Sequence, residues 1–205
     1  YRNTAASCKR MPNFIKSIST IWRGSPMSEP GILIDANTVR FKRLVPGPVE
    51  RVWQYLTESE KRRTWFAAGE LEPRVGGSLE LRFDNSNVTD DQTPPPERFS
   101  KYAGVHISQH TITRFEPPRL LAFTWSSGID GGPSEVLIEL TPKGGQVELV
   151  LTHSRISGRE PAINFSTGWH THLDVLVDRL NERASIPFWD VFARLEGIYE
   201  KRYAK

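Results

Sequence analysis

Polar and apolar residues alternate along most of the chain between residues 34 and 155, which is the pattern of half-buried β-strands. In the segment Ser78–Phe83, for example, Leu79, Leu81 and Phe83 share one face. Glycine and proline pairs separate these segments and indicate turns. The predicted strands cover Ile34–Val45, Gly69–Pro73, Ser78–Phe83, Lys101–Phe115, Leu121–Trp125, Val136–Leu140 and Val147–His153.

Two other regions show the 3.6-residue period of amphipathic helices. Before most of the strands, a helix starting at Pro48 and a short one over Glu58–Phe66 are predicted. After the strands, the period changes from that of a strand to that of a helix near Gly168, with Ser166 or Thr167 as the candidate cap. Apolar residues of this helix follow Gly158 on one side: Phe165, Trp169, Leu173, Leu176, Val177 and Leu180. A last helix is predicted over Phe188–Tyr203.

Antiparallel strands with helices segregated at the two ends of the sequence predict an α+β domain. Twisted sheets curl, and a long helix laid across the concave face can leave a cavity. The polar segment Asp84–Arg98, which contains Pro94, Pro95 and Pro96, is predicted to be a loop at the rim of such a cavity.

An ordered set of short segments resembles the SRPBCC (START-like) superfamily. It is most similar to the bacterial branch related to the C-terminal domain of the activator of the 90-kDa heat-shock-protein ATPase. The resemblance runs from about Val39 to Leu180. The segments are Pro48-Val49-Glu50-Arg51-Val52-Trp53, Trp65-Phe66, Val75-Gly76-Gly77, Glu116-Pro117-Pro118-Arg119-Leu120, Phe123-Thr124-Trp125, Leu140-Thr141-Pro142, Leu151-Thr152-His153 and Gly168-Trp169.

The resemblance implies a helix-grip fold, in which a curved antiparallel sheet wraps around a long C-terminal helix and encloses an apolar cavity. On this basis, residues 31–205 are expected to form a single START-like domain, preceded by an extension over residues 1–30. Members of the superfamily include lipid carriers, polyketide cyclases and co-chaperone domains. The resemblance therefore constrains the fold more closely than the function.

The first 26 residues differ from the rest in charge. They contain five basic residues and no acid, so that subtracting them from the total net charge of +3 leaves −2 for residues 27–205. The basic character of the chain is thus confined to one end and does not indicate nucleic-acid binding. Two interpretations stay open for this end: a transit peptide or membrane-surface helix, or an extension upstream of a natural start at Met27.

The composition and motifs of the chain narrow the classes of protein to which it can belong. Cys8 is the single cysteine, which excludes an internal disulfide and fits a reducing compartment, so a cytoplasmic location is expected. No segment reaches the length of a membrane span. His170 and His172 lie two positions apart on a helix and therefore face different directions, so no metal site is predicted. No cofactor-binding motif is found.

The residues expected to line the cavity are apolar or aromatic, with two histidines on inward strand faces. His153 follows Leu149 and Leu151 on one face, and His106 is expected to point inward with Tyr102 and His110. Such a histidine either orients a ligand or is a hydrogen-bonded core residue. The predicted lining is Trp65, Phe66, Phe83, His106, Phe123, Trp125, Leu151, His153, Trp169, Leu173 and Leu176.

Three functions remain open at this point. The first is a non-enzymatic module that binds a small hydrophobic molecule, with a role in stress as one setting. The second is a co-chaperone-like domain that regulates a chaperone ATPase through its surface. The third is a small cyclase or hydrolase that uses a cavity histidine. A homodimer also stays open.

Overall fold

The computed structural model describes residues 28–91 and 93–204 of the chain. Residues 1–27, which comprise the basic segment with Cys8 and the proposed start at Met27, lie outside the described residues. Within the described residues, fourteen elements follow in the order β, β, α, α, β, β, 3₁₀, β, β, 3₁₀, β, β, α, α. The predicted α+β helix-grip fold is confirmed.

One antiparallel sheet contains eight strands in the order β1-β2-β8-β7-β6-β5-β4-β3. Inward residues alternate along its central strands, as the sequence pattern predicts; in β8, for example, Val147, Leu149, Leu151 and His153 are buried. The strands are β1 Ile32–Asp35, β2 Thr38–Pro46, β3 Ala67–Ala68, β4 Ser78–Phe83, β5 His106–Glu116, β6 Leu120–Ser127, β7 Pro133–Lys143 and β8 Gln146–Ser154.

In the described part of the chain, four α-helices accompany the sheet: α1 Val49–Thr57, α2 Ser59–Arg62, α3 Arg159–Leu180 and α4 Phe188–Arg202. Helix α3 packs against the sheet near β2, and α4 packs against α3. The buried side chains of both helices join those of the sheet in one hydrophobic core.

The β4–β5 connection spans residues 84–105 and packs against α4, where Phe99 stacks on Trp189 with ring centroids 6.4 Å apart. Val88 and Phe99 within it are buried in the core. It ends in a 3₁₀ helix, Glu97–Tyr102, so β5 starts at His106 and the predicted strand start at Lys101 was wrong. As a result Tyr102 lies in the 3₁₀ helix and not on the inward face of a strand.

Three other predicted boundaries were wrong for local reasons. The first strand is a hairpin of two strands, because Asp35 Oδ1 accepts a hydrogen bond from the Asn37 backbone N–H at 2.8 Å and turns the chain. The strand predicted over Gly69–Pro73 is reduced to a single bridge at Leu71, since Gly69 adopts a φ of 118°.

The third boundary concerns the long helix, which begins at Arg159 and not near Gly168. Ser166 and Thr167 therefore lie inside α3 and cap nothing. The Thr167 hydroxyl donates instead to the Ile163 carbonyl oxygen one turn earlier, at 2.8 Å.

Candidate ligand-binding cavity

A cavity of about 420 Å³ lies between the β4–β6 end of the sheet and helices α3 and α4. This volume falls in the range of small-molecule sites. The β4–β5 connection contributes to its wall through Asn85, Lys101 and Tyr102. The other lining residues are Phe66, Phe83, His106, Trp125, Asn164, Phe165, Gly168, Trp169, His172 and Phe192.

Aromatic rings form most of the wall. Phe66 stacks on Trp169 with ring centroids 5.0 Å apart and meets Phe83 edge-on at the same distance. Trp125 lies 5.2 Å from Trp169. Because each ring is fixed by its neighbours, the wall presents rigid, flat, apolar surfaces that suit a planar ligand.

Five of the predicted site residues line this cavity: Phe66, Phe83, His106, Trp125 and Trp169. The other six do not. Leu151, Leu173 and Leu176 are fully buried core residues, at most 1% exposed. Trp65 and Phe123 border a separate gap of about 10 Å³, which is too small for more than one water molecule.

His153, the sixth, is enclosed in the core, where both ring nitrogens have partners. Trp169 Nε1–H donates to His153 Nδ1 at 3.2 Å, so the protonated nitrogen is Nε2, which donates to Ser134 Oγ at 3.0 Å. Ser134 Oγ–H in turn donates to the Ser126 carbonyl oxygen. Burial lowers the pKa of His153 to about 3. This histidine is therefore neutral and has no free atom for a ligand.

The remaining strand histidines differ from each other. His106 is exposed and lies at the mouth of the cavity. His110 stacks on the far side of Trp125 at 5.1 Å and pairs with Ser108 Oγ at 2.7 Å. Burial lowers the pKa of His110. It supports the cavity wall from behind and does not line it.

One face of α3 contributes Phe165, Gly168, Trp169 and His172 to the cavity. These residues stand at positions i, i+3, i+4 and i+7, the spacing of a single helical face. Sequence reasoning identified only Trp169 among them. Extending the same spacing from Trp169 would have found His172 three positions later.

His172 is held in a fixed tautomer. Its Nδ1 lies 2.8 Å from the Trp65 carbonyl oxygen, which can only accept, so Nδ1 carries the proton and donates. Phe66 meets the imidazole edge-on at 5.2 Å, and Phe188 lies 5.1 Å away. Burial lowers the pKa of His172 to about 4, so that the ring is neutral at pH 7.

The opposite face of α3 carries a buried polar cluster. Asp174 pairs with Arg43 of β2 at 3.4 Å and accepts a hydrogen bond from Ser28 Oγ. His170 Nδ1 lies 2.9 Å from the Tyr199 hydroxyl of α4. Burial raises the pKa of Asp174, and Arg43 partly offsets that effect. Burial also lowers the pKa of His170 to about 3.

Hydrogen bonds also tie the β4–β5 connection to the rest of the domain, in addition to the buried side chains of Val88 and Phe99. Arg179 of α3 donates to the Val88 carbonyl oxygen at 3.2 Å and, outside the connection, to the Thr64 carbonyl oxygen at 3.1 Å. Within the connection, Asn85 and Ser86 donate to backbone carbonyl oxygens of the 3₁₀ segment.

Neither a metal site nor a membrane-spanning helix is found within residues 28–91 and 93–204. No group of three or more histidine, cysteine, aspartate or glutamate side chains could hold a metal ion. No helix in that part of the chain is long and apolar enough to cross a membrane.

The curved eight-stranded sheet, the long helix α3 and the cavity between them define a START-like protein of the SRPBCC superfamily. The model of one family, described as "Activator of Hsp90 ATPase homolog 1-like protein", matches residues 46–181. The chain belongs to this family.

Solved structures support the assignment. A protein from Bordetella parapertussis, determined by solution NMR, is 44% identical, with a TM-score of 0.73 over 87% of this chain and 94% of that one. CalU16 from Micromonospora echinospora is 20% identical, with a TM-score of 0.59 over 83% of this chain and 90% of its own.

EF2215 from Enterococcus faecalis, a conserved protein of unknown function, is 19% identical with a TM-score of 0.62 over 83% of this chain and 87% of its own. At these identities CalU16 and EF2215 show the fold alone. A search of curated proteins found no match.

Proposed function

We propose that this protein is a binding module for a small, planar, mostly apolar molecule. The observation that carries the proposal is the 420 Å³ cavity with its aromatic wall. Burying apolar ligand surface there would drive binding at roughly 25 cal/mol per Å², less the cost of ordering the ligand. Because the rings already pack against each other, little reorganisation would be needed on binding.

The charge of the cavity supports a neutral or anionic ligand. Among the described residues that line it, Lys101 is cationic and none is an aspartate or glutamate. A cationic ligand would therefore lose its hydration without meeting a countercharge.

Histidine-dependent catalysis has less support. His172 is the deepest imidazole that lines the cavity, and a pKa of about 4 makes it a weak general base at neutral pH. The co-chaperone hypothesis rests on the family description alone. Binding accounts for the cavity without either activity.

Titration with naphthalene, 1-naphthol and 1-methoxynaphthalene, followed by ¹H–¹⁵N NMR, tests the proposal. The indole signals of Trp125 and Trp169, which line the cavity, are expected to shift. The indole signal of Trp53, which packs on Phe115 away from the cavity, is expected to stay in place. If none of the three probes shifts Trp125 or Trp169 up to its solubility limit, the proposal is wrong.

A further inference from the structure

Nε2 of His172, a residue of the cavity wall, has no hydrogen-bond partner among the described residues. Nδ1 of the same ring is committed to the Trp65 carbonyl oxygen at 2.8 Å. The neutral imidazole has one proton, and it is on Nδ1, so Nε2 has a free lone pair. The atom can accept a hydrogen bond and cannot donate one.

The ring cannot easily turn to exchange the two nitrogens. It lies edge-on to Phe66 at 5.2 Å and against Phe188 at 5.1 Å, and His172 as a whole is only 5% exposed. A flip would break the hydrogen bond to Trp65 and leave that carbonyl oxygen unpaired. The acceptor is therefore preorganised.

The other polar groups near the cavity are less suited to this role. Both nitrogens of His153 are paired, and His106 lies at the exposed mouth. Asn85 Oδ1 has no partner, but it is sealed from water and is not reachable in this conformation. Asn164 is exposed and Tyr102 is half-buried, so His172 is the most enclosed acceptor among the described residues that line the cavity.

We propose that His172 Nε2 accepts a hydrogen bond from a donor on the edge of a planar aromatic ligand. This inference rests on the proposed function and narrows its ligand class. Since no carboxylate among the described residues lines the cavity, the donor is neutral: a phenolic or enolic hydroxyl, or an aryl N–H. A ligand without a donor would displace water from this acceptor and leave it unpaired, which is costly, whereas such a donor keeps it paired.

Three probes of nearly equal shape separate the contribution of the hydrogen-bond donor from that of apolar burial. 1-Naphthol has the donor, 1-methoxynaphthalene replaces it with a methyl ether, and naphthalene has neither. We expect 1-naphthol to bind about five- to tenfold more tightly than the other two, as one net hydrogen bond requires. The affinities are measured by NMR titration at pH 7.

The variant His172→Asn tests the residue itself. An asparagine amide N–H can take the place of Nδ1–H towards the Trp65 carbonyl oxygen, while the acceptor at the Nε2 position is removed. We expect the preference for 1-naphthol over 1-methoxynaphthalene to fall to about one. The control Ser86→Ala loses a hydrogen bond to the Ala103 carbonyl oxygen outside the cavity, and the preference should stay.

A second readout uses the unmodified protein. The ¹⁵N resonance of His172 Nε2 should move when 1-naphthol is added and stay when 1-methoxynaphthalene is added. Equal affinity of the three probes, with Trp125 and Trp169 still shifting, would overturn the inference and leave the proposed function intact. Absence of binding by all three would overturn the proposed function.

Discussion

Gly168 offers a direct test of whether the cavity is a binding site. It lies inside α3 and lines the cavity, and a Cβ atom added there would have no neighbour within 4 Å. The variant Gly168→Leu should therefore place a side chain in the cavity without a clash. The leucine side chain would reduce the volume that is available to a ligand beside α3.

The effect on stability follows from helix propensity. Glycine in a helix interior is about 1 kcal/mol less favourable than alanine, and leucine is close to alanine. We expect Gly168→Leu to raise the free energy of unfolding by about 1 kcal/mol, and the Tm by about 2–4 °C for a chain of this size. Urea and thermal unfolding, followed by circular dichroism, measure both quantities.

The effect on binding should have the opposite sign. With leucine in the space that a ligand would occupy, we expect the affinity for 1-naphthol to fall at least tenfold. Gly197→Leu is the matched control, because Gly197 also lies inside a helix with open space around it but does not line the cavity. It should stabilise the protein similarly and leave binding unchanged.

Either of two results would refute this reasoning. If Gly168→Leu binds 1-naphthol as well as the wild type, the cavity is not where the probe binds. If the variant is destabilised by more than about 1 kcal/mol relative to wild type, the space beside Gly168 is not open in solution.

Two further predictions concern stability. Three enclosed histidines have pKa values lowered by burial, to about 3 for His153 and His170 and about 4 for His172. As the pH falls below about 6.5, these histidines therefore take up protons in the unfolded state before they do so in the folded state. Each histidine should lower the free energy of unfolding by about 2 kcal/mol by pH 5, which urea unfolding at pH 7 and pH 5 measures. A free energy of unfolding that does not change over this range would contradict the prediction. Arg62 is buried and donates to backbone carbonyl oxygens on both sides of α2. The variant Arg62→Leu should therefore lower the free energy of unfolding by about 3 kcal/mol. The control Arg63→Leu, at an exposed ion pair, should change it by less than about 0.5 kcal/mol. Equal losses in the two variants would show that burial of the guanidinium is not the cause.

The fold could be predicted because its signals are local. Alternation in β8 and the helical spacing around Trp169 each depend on a few consecutive residues. The start of α3 was missed because Ser166 and Thr167 are typical caps, and in this helix their hydroxyls bond to Tyr203 and to the Ile163 carbonyl instead.

The site could be predicted only in part, because aromatic residues in a core and in a cavity wall have the same sequence pattern. Trp65 and Phe66 are adjacent, yet only Phe66 reaches the cavity. The same cavity is lined by Phe192 of α4 and Tyr102 of the 3₁₀ helix, which come from distant parts of the chain. Likewise, nothing in the sequence near His153 indicates that Trp169 and Ser134 occupy both of its nitrogens.

The polar cluster behind α3 has a consequence for the range of ligand sizes. Asp174 and Arg43 are buried as a pair, so moving α3 outward would separate two charges inside the protein, at a cost that a weakly bound molecule could not offset. The helical wall therefore cannot retreat to admit a larger ligand. Any widening should come from the opposite side, where the β4–β5 connection is held by Arg179, by the ion pair of Arg98 with Glu196 at the surface and by the apolar side chains of Val88 and Phe99. None of these contacts is an ion pair buried on both sides. The cavity should therefore accept larger ligands by displacement of the β4–β5 connection and not by movement of α3.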